Sequence, residues 1–372
     1  MPNVACVLDA KSLLGEGPFW DAAEQHLYWV DIKRRVIHRF DPGTGEDRTW
    51  STPEDIGSLA VREKGGLLVA LKSGFHFFDL ETGKATPLGL PTAQPSNNRF
   101  NDGKTDRQGR FWAGSMDDNE KVPSGGLFRL NSKLECEKMV DGIICSNSLC
   151  WNPDSRVMYY ADSWQRTVWA WDFELETGAI RNRRVFVEIP QSEGVPDGAT
   201  VDIEGFVWIA VWDGWRVTRY DPQGRAKHSV NLPVERPTCP MFGGPELNII
   251  YVTSASIGLS DQELKEQPLA GGLFAFKADV PGVKDADIEV TVAGNRLTVS
   301  GSRNEEKEEN NETYYSCERK YGSFSRSYTL PEGADVDNVH ADLKAGVLTV
   351  AVPKLPEVQP KKISVKAAPT KA

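Results

Sequence analysis

The strongest constraint on the fold is a pattern that recurs six times along residues 1–276. Each unit has a leading position, an apolar strand, a turn, an aromatic strand such as HLYWVDI or GFVWIAV, a second turn and a third strand. The leading positions are spaced by 42, 43, 46, 50 and 42 residues and are, in order, Glu16, Ser58, Asn101, Asn147, Asp197 and Cys239. Repeats of about 40–50 residues with three or four strands are typical of β-propeller blades. The N-terminal strand NVACVLD can complete the sixth unit, so the sequence predicts a closed six-bladed β-propeller.

Composition divides the chain into two units. All 11 tryptophans precede Phe276, whereas the remainder is rich in Val, Lys and acidic residues. We therefore predict a propeller over residues 1–276 and a second domain over 277–372. A net charge of −10 argues against a nucleic-acid partner, and no apolar run reaches the roughly 20 residues of a membrane span. The N-terminus lacks the pattern of a secretory signal, which predicts a cytoplasmic protein.

Leading positions of different blades should converge on the central channel of a propeller. Four of them carry carboxylate or amide side chains: Glu16, Asn101, Asn147 and Asp197. Oxygen donors of this kind suit one divalent ion, Ca²⁺, Mg²⁺ or Mn²⁺, and carboxylates also bind Zn²⁺. The alternative is that such residues begin ordinary turns, as an isolated PDG often does. Their recurrence in four blades favours a shared channel site.

Six ordered motifs carry a resemblance to a known family. They are LLGEGPFWD at 13–21, RFNDGK at 99–104, WAGSM at 112–116, SNSLCW at 146–151, PDG at 196–198 and AGGLF at 270–274. Residues 1–276 thereby resemble the senescence marker protein/gluconolactonase family of sugar lactonases.

The resemblance implies roles for individual residues. It makes Glu16, Asn147 and Asp197 the metal ligands, with Asp197 also the catalytic residue. Substrate would be bound by Arg99 and Asn101, and by a carboxylate position that falls on Asp118 or, without a gap, on Asn119. The family's SNGL is SNSL here, so Ser148 stands where a glycine is common.

The second domain shows strong alternation in DIEVTV, RLTVSG and VLTVAV, which predicts a small immunoglobulin-like β-sandwich. With DVPG and GVLTVAVPK, residues 278–366 resemble the α-crystallin domain of small heat-shock proteins. The resemblance implies self-association or binding of unfolded client proteins, with Ile363 and Val365 as anchors in a partner's groove. LFAFK at 273–277 could belong to either domain, so we predict that the sandwich lacks its first strand. Natural recombination and an engineered fusion both remain open explanations of this junction.

These patterns predict a metal-dependent hydrolase that converts a sugar lactone to its aldonic acid, with an appended chaperone-like domain. The alternative is a metal- or sugar-binding propeller fused to a chaperone, without catalysis. No G-x-S-x-G elbow or phosphate-binding glycine loop is present to support another chemistry.

Overall fold

In the computed structural model, the chain is almost entirely β-structure and divides into two units, Met1–Gly282 and Val283–Ala372. The structure describes residues 2–91, 94–278, 288–293, 296–311, 314–331, 333–344 and 347–355. Every sheet within these ranges belongs to one unit alone. None of their helices has the length and apolarity needed to cross a membrane.

The first unit is a propeller of six four-stranded antiparallel blades, as predicted. After β1 (Ala5–Leu8), the first blade contains β2 (Gly15–Asp21), β3 (His26–Asp31), β4 (Val36–Phe40) and β5 (Asp47–Ser51). The second contains β6 (Ile56–Val61), β7 (Leu67–Leu71), β8 (Gly74–Phe78) and β9 (Ala85–Pro87). The third contains β10 (Asn98–Thr105), β11 (Phe111–Asp117), β12 (Gly125–Leu130) and β13 (Cys136–Ile143).

The fourth blade contains β14 (Ser146–Trp151), β15 (Val157–Asp162), β16 (Thr167–Glu174) and β17 (Ala179–Glu188). The fifth contains β18 (Val195–Val201), β19 (Val207–Trp212), β20 (Arg216–Tyr220) and β21 (Ala226–Asn231). The sixth contains β22 (Pro237–Gly243), β23 (Ile249–Ser254) and β24 (Leu273–Lys277), and β1 pairs with β24 as its outer strand. This pairing closes the ring as the sequence predicted. A short helix, α1 (Asp261–Glu266), lies in the connection before β24.

Apolar side chains between neighbouring blades form the core. In the first of these clusters, Val30 and Ile37 of the first blade pack with Leu59, Leu67 and Val69 of the second. All five are buried, and full burial of such a side chain contributes roughly 1.5–3 kcal/mol. The near-continuous burial of strands such as β3 and β7 therefore reflects strands that are covered on both faces by adjacent blades.

The six inner strands share one irregularity. Each has a shift in register with its neighbour near its start, at Glu16/Phe19, Ile56/Ser58, Phe100/Gly103, Asn147/Cys150, Pro196/Ala199 and Pro237/Pro240. Bulges redirect side chains and are frequent beside functional sites. They occur at the leading positions that the repeat identified.

The PDG motif lies inside β18, so its interpretation as a turn is wrong. Its glycine is needed for a close approach between blades. A Cβ on Gly198 would lie 2.3 Å from Cys239 Sγ, well inside van der Waals contact. Gly198 therefore allows the inner strands of the fifth and sixth blades to meet beside Asp197.

In the second unit, β25 (Ile288–Ala293), β26 (Arg296–Asn311) and β27 (Tyr314–Thr329) form an antiparallel sheet. A separate hairpin contains β28 (His340–Lys344) and β29 (Val347–Ala351). Closure of these sheets into a sandwich, and the loss of its first strand, stay predictions. Ile363 and Val365 lie outside the described residues.

The structure assigns Leu273–Lys277 to the propeller, where this strand pairs with both β1 and β23. We expect a chain ending at Gly282 to keep the melting temperature of the propeller. A chain ending at Ala270 lacks β24. Its free energy of unfolding should be lower by several kcal/mol, because the core of the sixth blade would lack Leu273, Phe274 and Phe276. Thermal unfolding of the two truncations compares them directly. Equal stability would show that β24 does not close the ring.

Candidate active site

The predicted channel residues lie together near the start of the inner strands. Glu16, Asn101, Asn147 and Asp197 are each 3–5% exposed. Asn101 Nδ2 donates to Asn147 Oδ1 at 3.0 Å, which connects the third and fourth blades. The carboxyl groups of Glu16 and Asp197 interact electrostatically, which connects the first and fifth. Four blades thus contribute to one cluster.

Ser163, at the start of a 3₁₀ turn after β15, connects the two halves of the cluster. Its hydroxyl accepts from Asn147 Nδ2 at 2.8 Å and donates to the carbonyl of Pro196 at 2.7 Å. The bond to Asn147 fixes the amide orientation, so Asn147 Oδ1 is directed away from Ser163. Pro196 immediately precedes Asp197, so Ser163 links Asn147 to the strand that carries Asp197.

The carboxyl pair is electrostatically strained. Burial, and then repulsion from Asp102, raise the pKa of Glu16 to about 7. Burial and repulsion from Glu16 raise the pKa of Asp197 well above its ordinary value. Two buried like charges disfavour ionisation unless a cation compensates them.

Arg99 lies at the edge of this cluster. Its Nη1 donates to Asn101 Oδ1 at 2.7 Å, and its Nε donates to Asp118 Oδ1 at 2.8 Å. Asp118 is half-buried, whereas the neighbouring Asn119 is exposed on the same turn. Of the two candidate positions for the family carboxylate, Asp118 contacts Arg99 and Asn119 is exposed.

Ser148 adopts a left-handed conformation, with φ of 57°, next to Asn147. A non-glycine residue in this region has an unfavourable backbone energy. Here the hydroxyl of Ser148 donates to the main-chain carbonyl of Asp197, and the residue is fully buried. The serine therefore keeps the backbone shape that a glycine allows and adds a bond to the strand that carries Asp197.

Sequence reasoning missed two further groups below the cluster. Asp102 Oδ2 accepts from the main-chain N–H of Leu149 at 2.8 Å, while its buried Oδ1 has no partner among the described residues. Lys104 Nζ donates to the carbonyl of Ala199 and lies 3.8 Å from Cys239 Sγ. Both belong to the RFNDGK motif, and their positions one and three residues after Asn101 on β10 were the available signal.

The donor set fits a divalent metal ion. In the part of the chain that the structure describes, no three His, Cys, Asp or Glu side chains form a metal site by themselves. Glu16 and Asp197 provide two buried carboxylates, and Asn147 Oδ1, which accepts from Asn101 Nδ2, can provide a third oxygen. Oxygen donors alone favour Ca²⁺, Mg²⁺ or Mn²⁺ over softer metals.

The fold and site define a six-bladed β-propeller with an oxygen-rich site in its central channel. Residues 14–256 match the model of the SMP-30/Gluconolactonase/LRE-like region, and residues 270–366 match the Hsp20/alpha crystallin family. The chain therefore belongs to the SMP-30/gluconolactonase family and carries an Hsp20-type region after the propeller.

Similar proteins match the propeller over nearly their whole length. Regucalcin of Xenopus laevis is 37% identical over 278 residues, covering 73% of this chain and 93% of that protein. The 6-deoxy-6-sulfogluconolactonase of Pseudomonas putida is 36% identical over 281 residues, covering 75% and 96%. A solved structure, the calcium-binding protein regucalcin of Agrobacterium tumefaciens, has a TM-score of 0.71 and 28% identity, covering 74% and 94%.

Proposed function

We propose that the propeller hydrolyses a sugar lactone to the corresponding aldonic acid with the help of one divalent metal ion. The observation that carries this proposal is the buried Glu16–Asp197 pair beside Asn147, with Arg99 and Asn101 at its edge. Family membership and the lactonase relative support the reaction class.

Glu16, Asn147 and Asp197 would hold the metal. When bound, a divalent cation neutralises the two carboxylates and polarises the carbonyl of a lactone. Calcium is favoured by the oxygen donors and by the name of the structural relative, a calcium-binding protein. Zn²⁺, Mn²⁺ and Mg²⁺ are the competing ions.

Asp197 would act as the general base, the role that the family resemblance implies for it. In its ionised form it accepts a proton from the water whose oxygen attacks the lactone carbonyl carbon. The bond between that carbon and the ring oxygen then breaks, and the ring oxygen takes up a proton to become a hydroxyl. Ionised Asp197 requires the positive charge that a bound cation provides, since burial alone favours the neutral acid.

Arg99 and Asn101 would bind and orient the sugar hydroxyls. The Arg99 guanidinium is fixed by Asn101 and Asp118, so its donors are oriented before substrate arrives. Sites built to hydrogen-bond hydroxyl groups discriminate strongly against analogues that lack them. We infer that Asp118 contributes as an acceptor for a hydroxyl.

The Hsp20-type region would add self-association or capture of unfolded chains through residues 278–366, with Ile363 and Val365 as anchors. This part rests on the family match and on the strands of the second unit. A cytoplasmic location is consistent with both halves and stays a prediction.

Proton release from a panel of aldonolactones tests the reaction. We expect hydrolysis that disappears with a chelator and returns with one or more of Ca²⁺, Mn²⁺, Mg²⁺ and Zn²⁺. A protein that binds metal and lactone without releasing acid would instead support the non-catalytic alternative.

A further inference from the structure

The turns between the second and third strands of the blades surround one opening of the channel. In each of the first three blades, the start of the inner strand pairs with the end of the second strand. The pairs are Gly15 with Asp31, Ile56 with Leu71, and Asn98 with Asp117. Residues that follow these second strands therefore lie at the opening nearest Glu16 and Asn101. Lys33, Lys72 and Asp118 occupy those positions.

Basic side chains from three blades converge on Asp118 at this opening. Lys33 Nζ lies 2.7 Å from Asp118 Oδ1, the same oxygen that Arg99 Nε contacts at 2.8 Å. Lys72 Nζ lies 3.8 Å from Asp118 Oδ2. One carboxylate thus faces three cations.

Asp55 is the second carboxylate in contact with this cluster. Asp55 accepts from Lys33 Nζ at 2.9 Å, but it also pairs with Arg35 Nε at 3.1 Å. Four basic groups therefore share the two carboxylates of Asp55 and Asp118. Within this group of six side chains the positive charges outnumber the negative ones, and such a group attracts an anion.

The cluster is continuous with the proposed reaction site and open to solvent. Arg99, which contacts Asp118, also contacts Asn101, and Asn101 contacts Asn147. The side chains of Lys33 and Lys72 are 24% and 35% exposed, whereas that of Arg99 is 4% exposed. Arg99 therefore borders the reaction site, and the two lysines continue the cluster outward.

A different chemistry lies on the turns of the third and fourth blades. Trp164 Nε1 donates to Glu120 Oε2 at 2.9 Å, and Trp164 is 45% exposed. This part of the opening offers an aromatic surface and a negative charge. A ligand with one negatively charged end would therefore be oriented with that end toward Lys33 and Lys72.

We propose that Lys33 and Lys72, together with Arg99, form a subsite for an anionic substituent of the substrate. The preferred substrate would be a sugar lactone that carries a phosphate, sulfonate or carboxylate group at the end remote from the reacting carbonyl. This inference rests on the proposed lactonase function. Lysine ammonium groups bind such groups as point charges, and Arg99 adds directed donors.

Lys72 is the best residue for a test, because its Nζ lies 3.8 Å from Asp118 Oδ2, too far for a hydrogen bond. We expect Lys72→Met to lower the ratio of kcat/KM for 6-phosphogluconolactone over gluconolactone about tenfold, and Lys72→Glu to lower it further. Lys72→Arg should restore most of the ratio. Lys138→Met is the matched control, since Lys138 pairs with Asp141 on the outer strand β13.

Added salt gives a second readout. The ratio in the unmodified protein should fall as ionic strength rises, because exposed charges are screened over about 10 Å at 0.1 M salt. The subsite proposal would be overturned if the ratio of the two kcat/KM values were near one and changed neither with salt nor with substitution of Lys72. The lactonase proposal would be unaffected by that result. The basic cluster would then serve only to hold the turns together.

Calorimetric binding of 6-phosphogluconate and gluconate separates the two proposals. The subsite is supported if 6-phosphogluconate binds more tightly than gluconate and if this preference disappears in both Lys33→Met and Lys72→Met. This result would hold even in a protein that hydrolyses no lactone. Equal binding of the two acids would contradict it.

Discussion

Asp197→Asn is expected to lower kcat for lactone hydrolysis by about a thousandfold or more while the propeller remains folded. The substitution keeps the shape of the side chain but removes the carboxylate that accepts the proton, a function that typically contributes about 10²–10⁴ in rate. It also removes one of the two negative charges that would hold the metal. Initial rates at saturating lactone and metal measure the effect.

Asp172→Asn is the matched control for this substitution. Asp172 lies on β16 of the fourth blade and pairs with Val157, at the end of the blade away from the start of the inner strand. Its side chain is 53% exposed and contacts Arg184 Nη1 at 2.7 Å. We expect near-normal activity from this variant. A rate within tenfold of the unmodified protein for Asp197→Asn, with metal bound, would show that another group acts as the base.

The metal-free protein should become less stable as the pH rises from about 4.5 to above 7. The pKa of Glu16 is about 7 in the folded protein against an ordinary 4.5, so the folded state binds the extra proton in this range. Stability therefore falls with increasing pH, and the penalty for ionising Glu16 is complete only above pH 7. A shift of this size corresponds to about 3 kcal/mol. Asp197 changes in the same direction.

Glu16→Gln isolates this effect from other titrating groups. In the presence of a chelator, we compare the free energy of unfolding of Glu16→Gln with that of the unmodified protein. The difference in favour of the variant should be about 2–3 kcal/mol larger at pH 8 than at pH 5. Urea unfolding at the two pH values measures the difference. Metal should reverse the order, because it binds the ionised carboxylates and stabilises the unmodified protein at pH 8. An advantage that does not depend on pH would mean that Glu16 is not buried beside Asp197.

The repeat spacing predicted the propeller because local patterns determine each blade. Apolar and aromatic runs between turns identified the strands, and equivalent positions in successive units identified Glu16, Asn101, Asn147 and Asp197. The structure places these residues at the register shifts of the inner strands. A local pattern could not predict that PDG continues a strand. That conformation depends on the close approach of Gly198 to Cys239 in the next blade.

Contacts between blades explain what the sequence left unresolved at the site. Lys33 meets Asp118 across a separation of 85 residues, and Lys104 meets Cys239 across 135. No spacing rule connects such pairs, since their proximity comes from closure of the ring. The choice between Asp118 and Asn119 likewise depended on which side chain reaches Arg99.

The junction shows a further limit of sequence patterns. The pattern of LFAFK fits the first strand of a sandwich as well as it fits the last strand of a propeller. The structure places it between β1 and β23, where Leu273 and Phe274 are fully buried. Pairing on both edges decides its assignment. One of the two partner strands, β1, lies near the N-terminus and is therefore distant in the sequence.

Lactone hydrolysis by the full chain, stripped of metal and then titrated with Ca²⁺, Mn²⁺, Mg²⁺ or Zn²⁺, tests the central claim most directly. The account predicts no enzymatic acid release before titration, a rate that saturates at one equivalent of metal, and no restoration in Glu16→Gln. Undiminished hydrolysis in the stripped protein would contradict the metal site. Stoichiometric metal binding with no hydrolysis of any lactone would contradict the catalytic function.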